Sequence, residues 1–157
     1  MDARGSPVTE NADLIKLYSG RILALAADIP HLGRLEYPQA RVKRRSPLCG
    51  SMVSVELDME AGRVSRFGQE VKACALGQAA AAVLGAAVMG RSRAELEAAR
   101  DQLQAMLKSG GPVPSAPFDG YEVLEPAREY RNRHASILLA IEAAAEAAAE
   151  AEATNPA

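Results

Sequence analysis

The feature of this sequence that most limits its fold is a change of hydrophobic pattern near residue 73. Before this point, three segments alternate between apolar and polar side chains, as half-buried strands do: residues 39–45, 52–59 and 63–73. The connections between them are short, which favours an antiparallel meander. After it, only helical patterns follow, beginning with the alanine-rich run 74–89. The sequence therefore predicts an α+β fold with a three-stranded antiparallel sheet and three or more helices packed on it.

The remaining segments predict a helix before the sheet and two more helices after the alanine-rich one. The first helix begins near Asn11 and ends before Pro30. Ser92-Arg93-Ala94-Glu95 has the form of a capping box and begins a helix that runs to about Lys108. Residues 110–126, with four prolines and three glycines, predict an ordered loop or flap. The last helix is expected over 127–151.

The sequence divides into three parts of unequal size. Residues 1–10 are polar and predict a flexible tail. Residues 11–145 predict a single domain, as expected for a chain of 157 residues. Residues 146–157 predict an alanine- and glutamate-rich, solvated helical extension and tail.

Composition excludes several classes of function. The 18 Lys and Arg residues against 20 Asp and Glu residues give a net charge of −2, which argues against nucleic-acid binding. No apolar run reaches the ~20 residues of a membrane span. Residues 1–9 lack the basic-then-apolar order of a signal peptide. We therefore expect a cytoplasmic protein that contacts neither nucleic acid nor membrane.

Three residues are candidates for chemistry. Cys49 lies in a turn close to several basic residues, and cations stabilise the thiolate. Cys74 lies where a strand passes into a helix, and the positive end of a helix does the same. His134 lies early in the last helix. Taken singly, each cysteine is also compatible with a structural role, and His134 with a structural or exposed one; together they could converge on one metal or cluster.

In order, these segments resemble the iron–sulfur cluster assembly scaffolds of the IscU/SufU/NifU N-terminal family. Ser46-Pro47-Leu48-Cys49-Gly50 is similar to the family's (N/S)-P-x-C-G-D segment. The sequence from Val71 to Ala81 is similar to its G-C-x-x-x-x-A-S-x-S helix start. Residues 131–138 are similar to its R-x-K-C-A-x-L or x-H-C-S-x-L helix. The resemblance covers roughly residues 13–145, with spacing closer to SufU.

The resemblance implies a function as well as a fold. Such scaffolds are not enzymes. They receive sulfur from a cysteine desulfurase, bind iron or zinc, and pass a nascent cluster to acceptor apo-proteins. By resemblance, Cys49, Cys74 and His134 are the cofactor and metal ligands. The cargo would be a labile iron–sulfur cluster, with [2Fe–2S] as one form, and Zn²⁺ is the alternative.

The sequence departs from the family pattern at two positions. Ser51 stands where the family has aspartate, and one family cysteine is missing. Depending on the register, either His134 replaces that cysteine, or His134 is the family's histidine and Ala135 replaces it. Two thiolates and one imidazole leave a tetrahedral ion one ligand short. Water, a second subunit, a partner or a small thiol could supply the fourth ligand.

Three functions follow from these observations. The first is a scaffold or carrier for iron or an iron–sulfur cluster. The second is a zinc-binding acceptor of persulfide from a cysteine desulfurase. The third is a degenerate scaffold homologue that serves as an interaction module. A homo-oligomer that shares its metal between subunits is compatible with the first.

Overall fold

The computed structural model describes residues 18–47 and 50–154. Within them, a short helix precedes a sheet of three strands, and helices and a 3₁₀ segment follow. In chain order, the elements are α1 (Gly20–Ala27), β1 (Ala40–Arg45), β2 (Met52–Glu60), β3 (Arg63–Lys72), α2 (Ala75–Ala87), α3 (Arg93–Lys108), a 3₁₀ segment (Asp119–Glu129) and α4 (Arg131–Thr154). The predicted α+β class is confirmed.

The sheet is the antiparallel meander that the alternation predicts. Its strands lie in the order β1-β2-β3, so the central strand pairs with both neighbours. Val53, Val55 and Leu57 are fully buried on the face that meets the helices. Ala61 and Gly62 connect β2 to β3 with φ of 52° and 76°. Positive φ at both central residues is typical of the type I′ hairpin, whose twist matches that of the strands.

The opposite face of β2 is covered in part by the segment that connects α1 to β1. Glu56 on this face is only 3% exposed. Its carboxylate accepts hydrogen bonds from the Leu35 N–H at 2.7 Å and from Arg41 Nε at 2.6 Å. Burial opposes the charge of Glu56, but these bonds and the charges of Arg41 and Arg34 outweigh it and lower its pKa. The connection is therefore tied to the sheet through one buried carboxylate.

The helices pack on the face of the sheet that carries Val53, Val55 and Leu57, and many of their contacting side chains are small. All residues of α2 from Ala79 to Gly85 are buried, as its alanine-rich composition predicts. Helix α3 begins with the predicted capping box: the Glu95 N–H donates to Ser92 Oγ, and the Ser92 N–H donates to the Glu95 carboxylate. Helix α4 packs along β1 and β2.

Two parts of the C-terminal half differ from the sequence prediction. The last helix begins at Arg131 rather than 127, because a 3₁₀ segment containing Pro126 precedes it. The extension from residue 146 is helical to Thr154, but the prediction that it is merely solvated is wrong. Ala147, Ala148 and Ala151 are fully buried, since small side chains on one face let α4 lie close to the sheet. The predicted division into a domain of residues 11–145 and flanking segments stays a prediction.

Among the residues that the structure describes, no helix is both long and apolar enough to cross a membrane. The predicted helix start at Asn11 and the tail over residues 1–10 lie outside the described residues. The described part of the first helix begins at Gly20, where Ser19 Oγ accepts a hydrogen bond from the Ile22 N–H at 3.4 Å.

Candidate functional site

Cys74 is the residue that caps the N-terminus of α2. One residue, Ala73, separates it from the end of β3. Cys74 has extended backbone angles (φ −66°, ψ 171°) and makes no side-chain cap bond. Its thiol is free and half-buried, and it packs against the edge of the core. A partly exposed thiol beside the positive end of a helix can serve as a metal ligand or as a nucleophile.

Two serine hydroxyls connect Cys74 to the segment between β1 and β2. Ser136 Oγ lies 3.7 Å from Cys74 Sγ and 2.9 Å from Ser51 Oγ. Both serines are almost completely buried. When Cys74 is a thiolate, its sulfur can only accept, so Ser136 donates to it and Ser51 donates to Ser136.

Gly77 allows α4 to come this close to α2. A Cβ at Gly77 would lie 2.6 Å from Ser136 Oγ, 2.7 Å from Ala73 Cβ and 3.3 Å from the Ser136 carbonyl oxygen. These distances are too short for any other residue without movement of the backbone. The absence of a side chain at Gly77 therefore allows Ser136 to lie against Cys74.

The turn that carries Cys49 is closed by its own backbone. The Ser46 N–H donates to the Ser51 carbonyl at 2.8 Å, and the Gly50 N–H donates to the Ser46 carbonyl at 3.1 Å. Gly50 has a φ of 72°. Cys49 itself lies outside the described residues, so its assignment as a ligand stays a prediction. The flanking residue Ser51 is brought into the Cys74 cluster.

His134 lies on a different side of α4. The ring is buried, and its Nε2 is 3.0 Å from the carbonyl oxygen of Ala127 in the 3₁₀ segment. Because a carbonyl only accepts, Nε2 carries the proton, and Nδ1 of the neutral ring keeps its lone pair. His134 and Ser136 are two residues apart, so they point in directions that differ by roughly 200° around the helix. The side of α4 that contacts Cys74 is the side of Ser136.

Within residues 18–47 and 50–154, no three His, Cys, Asp or Glu side chains come close enough together to hold a metal ion. The described part of the site thus consists of one thiol and two hydroxyls, with His134 directed toward the 3₁₀ segment. The ligand set that includes Cys49 is neither assembled nor refuted by this geometry.

The chain is similar to several solved structures. A NifU-like protein (N-terminal) from Brucella abortus is 42% identical, with a TM-score of 0.87. The match covers 90% of this chain and 98% of that one. The chain belongs to the NifU-like N-terminal family.

Two more distant structures share the fold of this NifU-like chain. One is a candidate iron–sulfur cluster assembly scaffold protein for the SUF system from Fervidobacterium islandicum AW-1, 17% identical with a TM-score of 0.76. The other is a hypothetical protein, 21% identical with a TM-score of 0.74. The matches cover 85% and 86% of this chain and 98% of each relative. A scan against protein-family models gave no match, and a search of curated proteins gave none.

Sequence reasoning missed Ser136 as a neighbour of Cys74 in this NifU-like chain. A signal was available, since Ser136 is a polar residue within the apolar stretch 135–141. A polar residue on a buried helix face needs a hydrogen-bond partner. Three basic residues near Cys74 and His134 in the sequence form no side-chain ion pair among the described residues: Lys72, Arg131 and Arg133. Their positive charges are therefore available to an anionic ligand or partner.

Proposed function

We propose that this chain is an iron–sulfur cluster assembly scaffold that holds iron or a nascent cluster and passes it to acceptor apo-proteins. The observation that carries the proposal is the half-buried Cys74 thiol at the start of α2 in a chain of the NifU-like family. The SUF-system relative is itself described as a scaffold, which supports the same role. We propose a carrier rather than an enzyme.

The proposed ligands are Cys49, Cys74 and His134. Cys49 is separated from Ser51 by Gly50 alone, so chain connectivity limits how far its thiol can lie from the Cys74 cluster. Ser51, where the resemblance places an aspartate, is a neutral hydroxyl in contact with Ser136 and a poorer ligand than a carboxylate. The site would therefore bind its cargo weakly, which suits transfer better than storage.

His134 would use Nδ1 as its ligand atom. The hydrogen bond from Nε2 to the Ala127 carbonyl fixes the tautomer and orients the ring. Metal-binding histidines commonly donate their second N–H to a carbonyl in this way. With two thiolates and one imidazole, a tetrahedral ion or a cluster still needs a ligand from water, a second subunit, a partner or a small thiol.

The test is anaerobic purification followed by iron, zinc and acid-labile sulfide analysis. Wild type is expected to contain iron and sulfide, and Cys49→Ala, Cys74→Ala and His134→Asn are expected to lose both. His31→Asn is the matched control, because His31 is exposed and its φ of 61° suits asparagine. Wild-type protein that folds but binds no stoichiometric metal would refute the scaffold proposal. Zinc without sulfide would favour the next candidate.

A second candidate function is a zinc-binding acceptor of persulfide, favoured by the free thiol of Cys74. The Cys74 thiolate would attack the outer sulfur of a persulfide on a cysteine desulfurase. A new S–S bond then forms on Cys74, the S–S bond of the donor breaks, and the donor cysteine leaves as a thiolate. Mass spectrometry after incubation with a desulfurase and cysteine would show one added sulfur atom, absent in Cys74→Ala. No added sulfur in wild type would eliminate this candidate.

A further inference from the structure

A pocket of about 630 Å³ lies between the end of α3 and the start of α4. This volume is within the range of small-molecule sites in proteins. Lys108, Arg128 and Arg131 line it, with Leu107 and Ala135 as part of its apolar wall. Three of its lining side chains are cationic, and no Asp or Glu is among them.

Two of these cations, Lys108 and Arg131, form no direct hydrogen bond or ion pair in the described part of the chain, although the charge of Lys108 acts on Glu142. Both side chains are exposed. An anion could therefore pair with either of them at little desolvation cost, since each remains partly in water. The charged side chains that line the pocket are therefore all positive.

Arg128 occupies two carbonyl groups at the end of α3 that would otherwise repel an anion. Carbonyl groups at the C-terminus of a helix carry partial negative charge. At this end of α3, Arg128 Nε donates to the Met106 carbonyl at 3.0 Å, and Arg128 Nη2 donates to the Gly111 carbonyl at 3.3 Å. Glu125 also pairs with Nη2, at 3.2 Å, and holds the guanidinium in place.

The start of α4 adds a favourable field. Arg131 is the first residue of this 24-residue helix, and the N-terminus of a helix attracts anions through its free N–H groups and its dipole. The cavity, the cationic lining and the helix start thus favour one kind of ligand, an anion.

We propose that this pocket binds a small oxyanion, a phosphate or a carboxylate group of a small molecule. Arg131 and Lys108 would contact the oxygens, Arg128 would cover the α3 carbonyls, and Leu107 and Ala135 would contact an apolar part of the ligand. The site lies on the other side of α4 from the contact between Ser136 and Cys74. It adjoins the proposed cargo ligands, because His134 forms part of its wall, but it does not include Cys74.

The test is titration of the purified protein with inorganic phosphate and, separately, with succinate, followed by NMR and calorimetry in low-salt buffer. We expect saturable binding of at least one anion, weakened by salt. Lys108→Gln and Arg131→Gln should each weaken it about tenfold, which corresponds to ~1.4 kcal/mol. Lys43→Gln is the matched control, because Lys43 is an exposed lysine on β1, and it should change binding less than twofold.

Each outcome decides the question. Binding of phosphate alone or of succinate alone supports the proposal and selects the source of the oxyanion. No saturable binding of either anion would overturn it, as would an equal loss in Lys43→Gln, which would indicate attraction by overall charge. Cys74→Ala should bind the anion as wild type does, so failure of this proposal is distinguishable from failure of the scaffold function.

Discussion

Replacement of Gly77 by alanine tests whether the contact between α2 and α4 positions the site. The new Cβ would lie 2.6 Å from Ser136 Oγ and 2.7 Å from Ala73 Cβ. The hydroxyl of Ser136 could rotate away, but its carbonyl oxygen at 3.3 Å and the Cβ of Ala73 could not. The two helices must therefore separate, and Ser136 must move from Cys74.

The magnitude follows from two opposing effects. Overpacking of this kind costs about 1–3 kcal/mol, and two contacts below 3.0 Å place Gly77→Ala in the upper part of that range. Alanine is more favourable than glycine within a helix by about 1 kcal/mol. The net loss of unfolding free energy is therefore about 1–2 kcal/mol, a fall in Tm of about 2–8 °C for a chain of this size.

Thermal unfolding by circular dichroism measures the stability change, and the rate of Cys74 alkylation measures the change at the site. Gly20→Ala is the matched control, because a Cβ at this helical position meets nothing within 4 Å. This control should be neutral or slightly stabilising. If Gly77→Ala were as stable as Gly20→Ala and Cys74 reacted at the wild-type rate, the proposed steric role of Gly77 would be wrong.

Four further predictions follow. Ala135→Cys should raise the iron and sulfide content and slow cluster loss to a chelator at least about threefold, because a thiolate is the preferred ligand of iron–sulfur clusters. If His134→Cys gave this gain and Ala135→Cys did not, the missing family cysteine would correspond to His134, as in the SufU-like register. The lowered pKa of Glu56 predicts a stability contribution that is present above its unfolded pKa of about 4.3 and is lost as the pH falls through the folded value. Glu56→Gln should cost about 1–3 kcal/mol at pH 7 and flatten the acid limb of a Tm-against-pH series; an unchanged acid limb would contradict this. Ser92→Ala should cost about 1 kcal/mol in urea unfolding through loss of the capping box, and a cost near zero would mean that the cap contributes nothing. Removal of metal with a chelator should leave the far-ultraviolet circular dichroism spectrum unchanged, since the core is held by apolar packing; a loss of helical signal would show that the metal is structural.

Most of the fold could be predicted because its signals are local. The alternation in 52–59 and the Ser92–Glu95 capping box are short patterns whose physical causes lie within a few residues. The burial of Ala147, Ala148 and Ala151 could not be predicted in this way. Alanine in a helix is compatible with either solvent or a close neighbour, and only the position of the sheet decides between them.

The candidate site was less predictable, because most of its contacts join residues that are far apart in the sequence. Cys74 could be placed at a strand–helix junction from pattern alone, and the structure has it as the N-cap of α2. The contact between Cys74 and Ser136 joins residues that are 62 positions apart in the sequence. It depends on how closely α2 and α4 approach each other. The direction of the His134 ring depends on its hydrogen bond to Ala127 in the 3₁₀ segment. The sequence of residues 110–126 predicted only a loop or flap, so this partner could not be foreseen. Whether Cys49, Cys74 and His134 share one ligand sphere stays a prediction.

The alanine face of α4 has a consequence for how the site can be altered. The helix extends over 24 residues, about 36 Å, and its buried alanines lie mostly in the half remote from Ser136 and His134. These alanines position the C-terminal half of α4 against its neighbours, and the N-terminal half carries the buried Ser136 and His134. Bulky residues at Ala148 or Ala151 should therefore tilt the helix and displace residues 134–136. Exchanges of the exposed side chains at the start of α4, Arg131 and Asn132, should leave this packing unaffected, so new metal ligands can be introduced there with the fold intact.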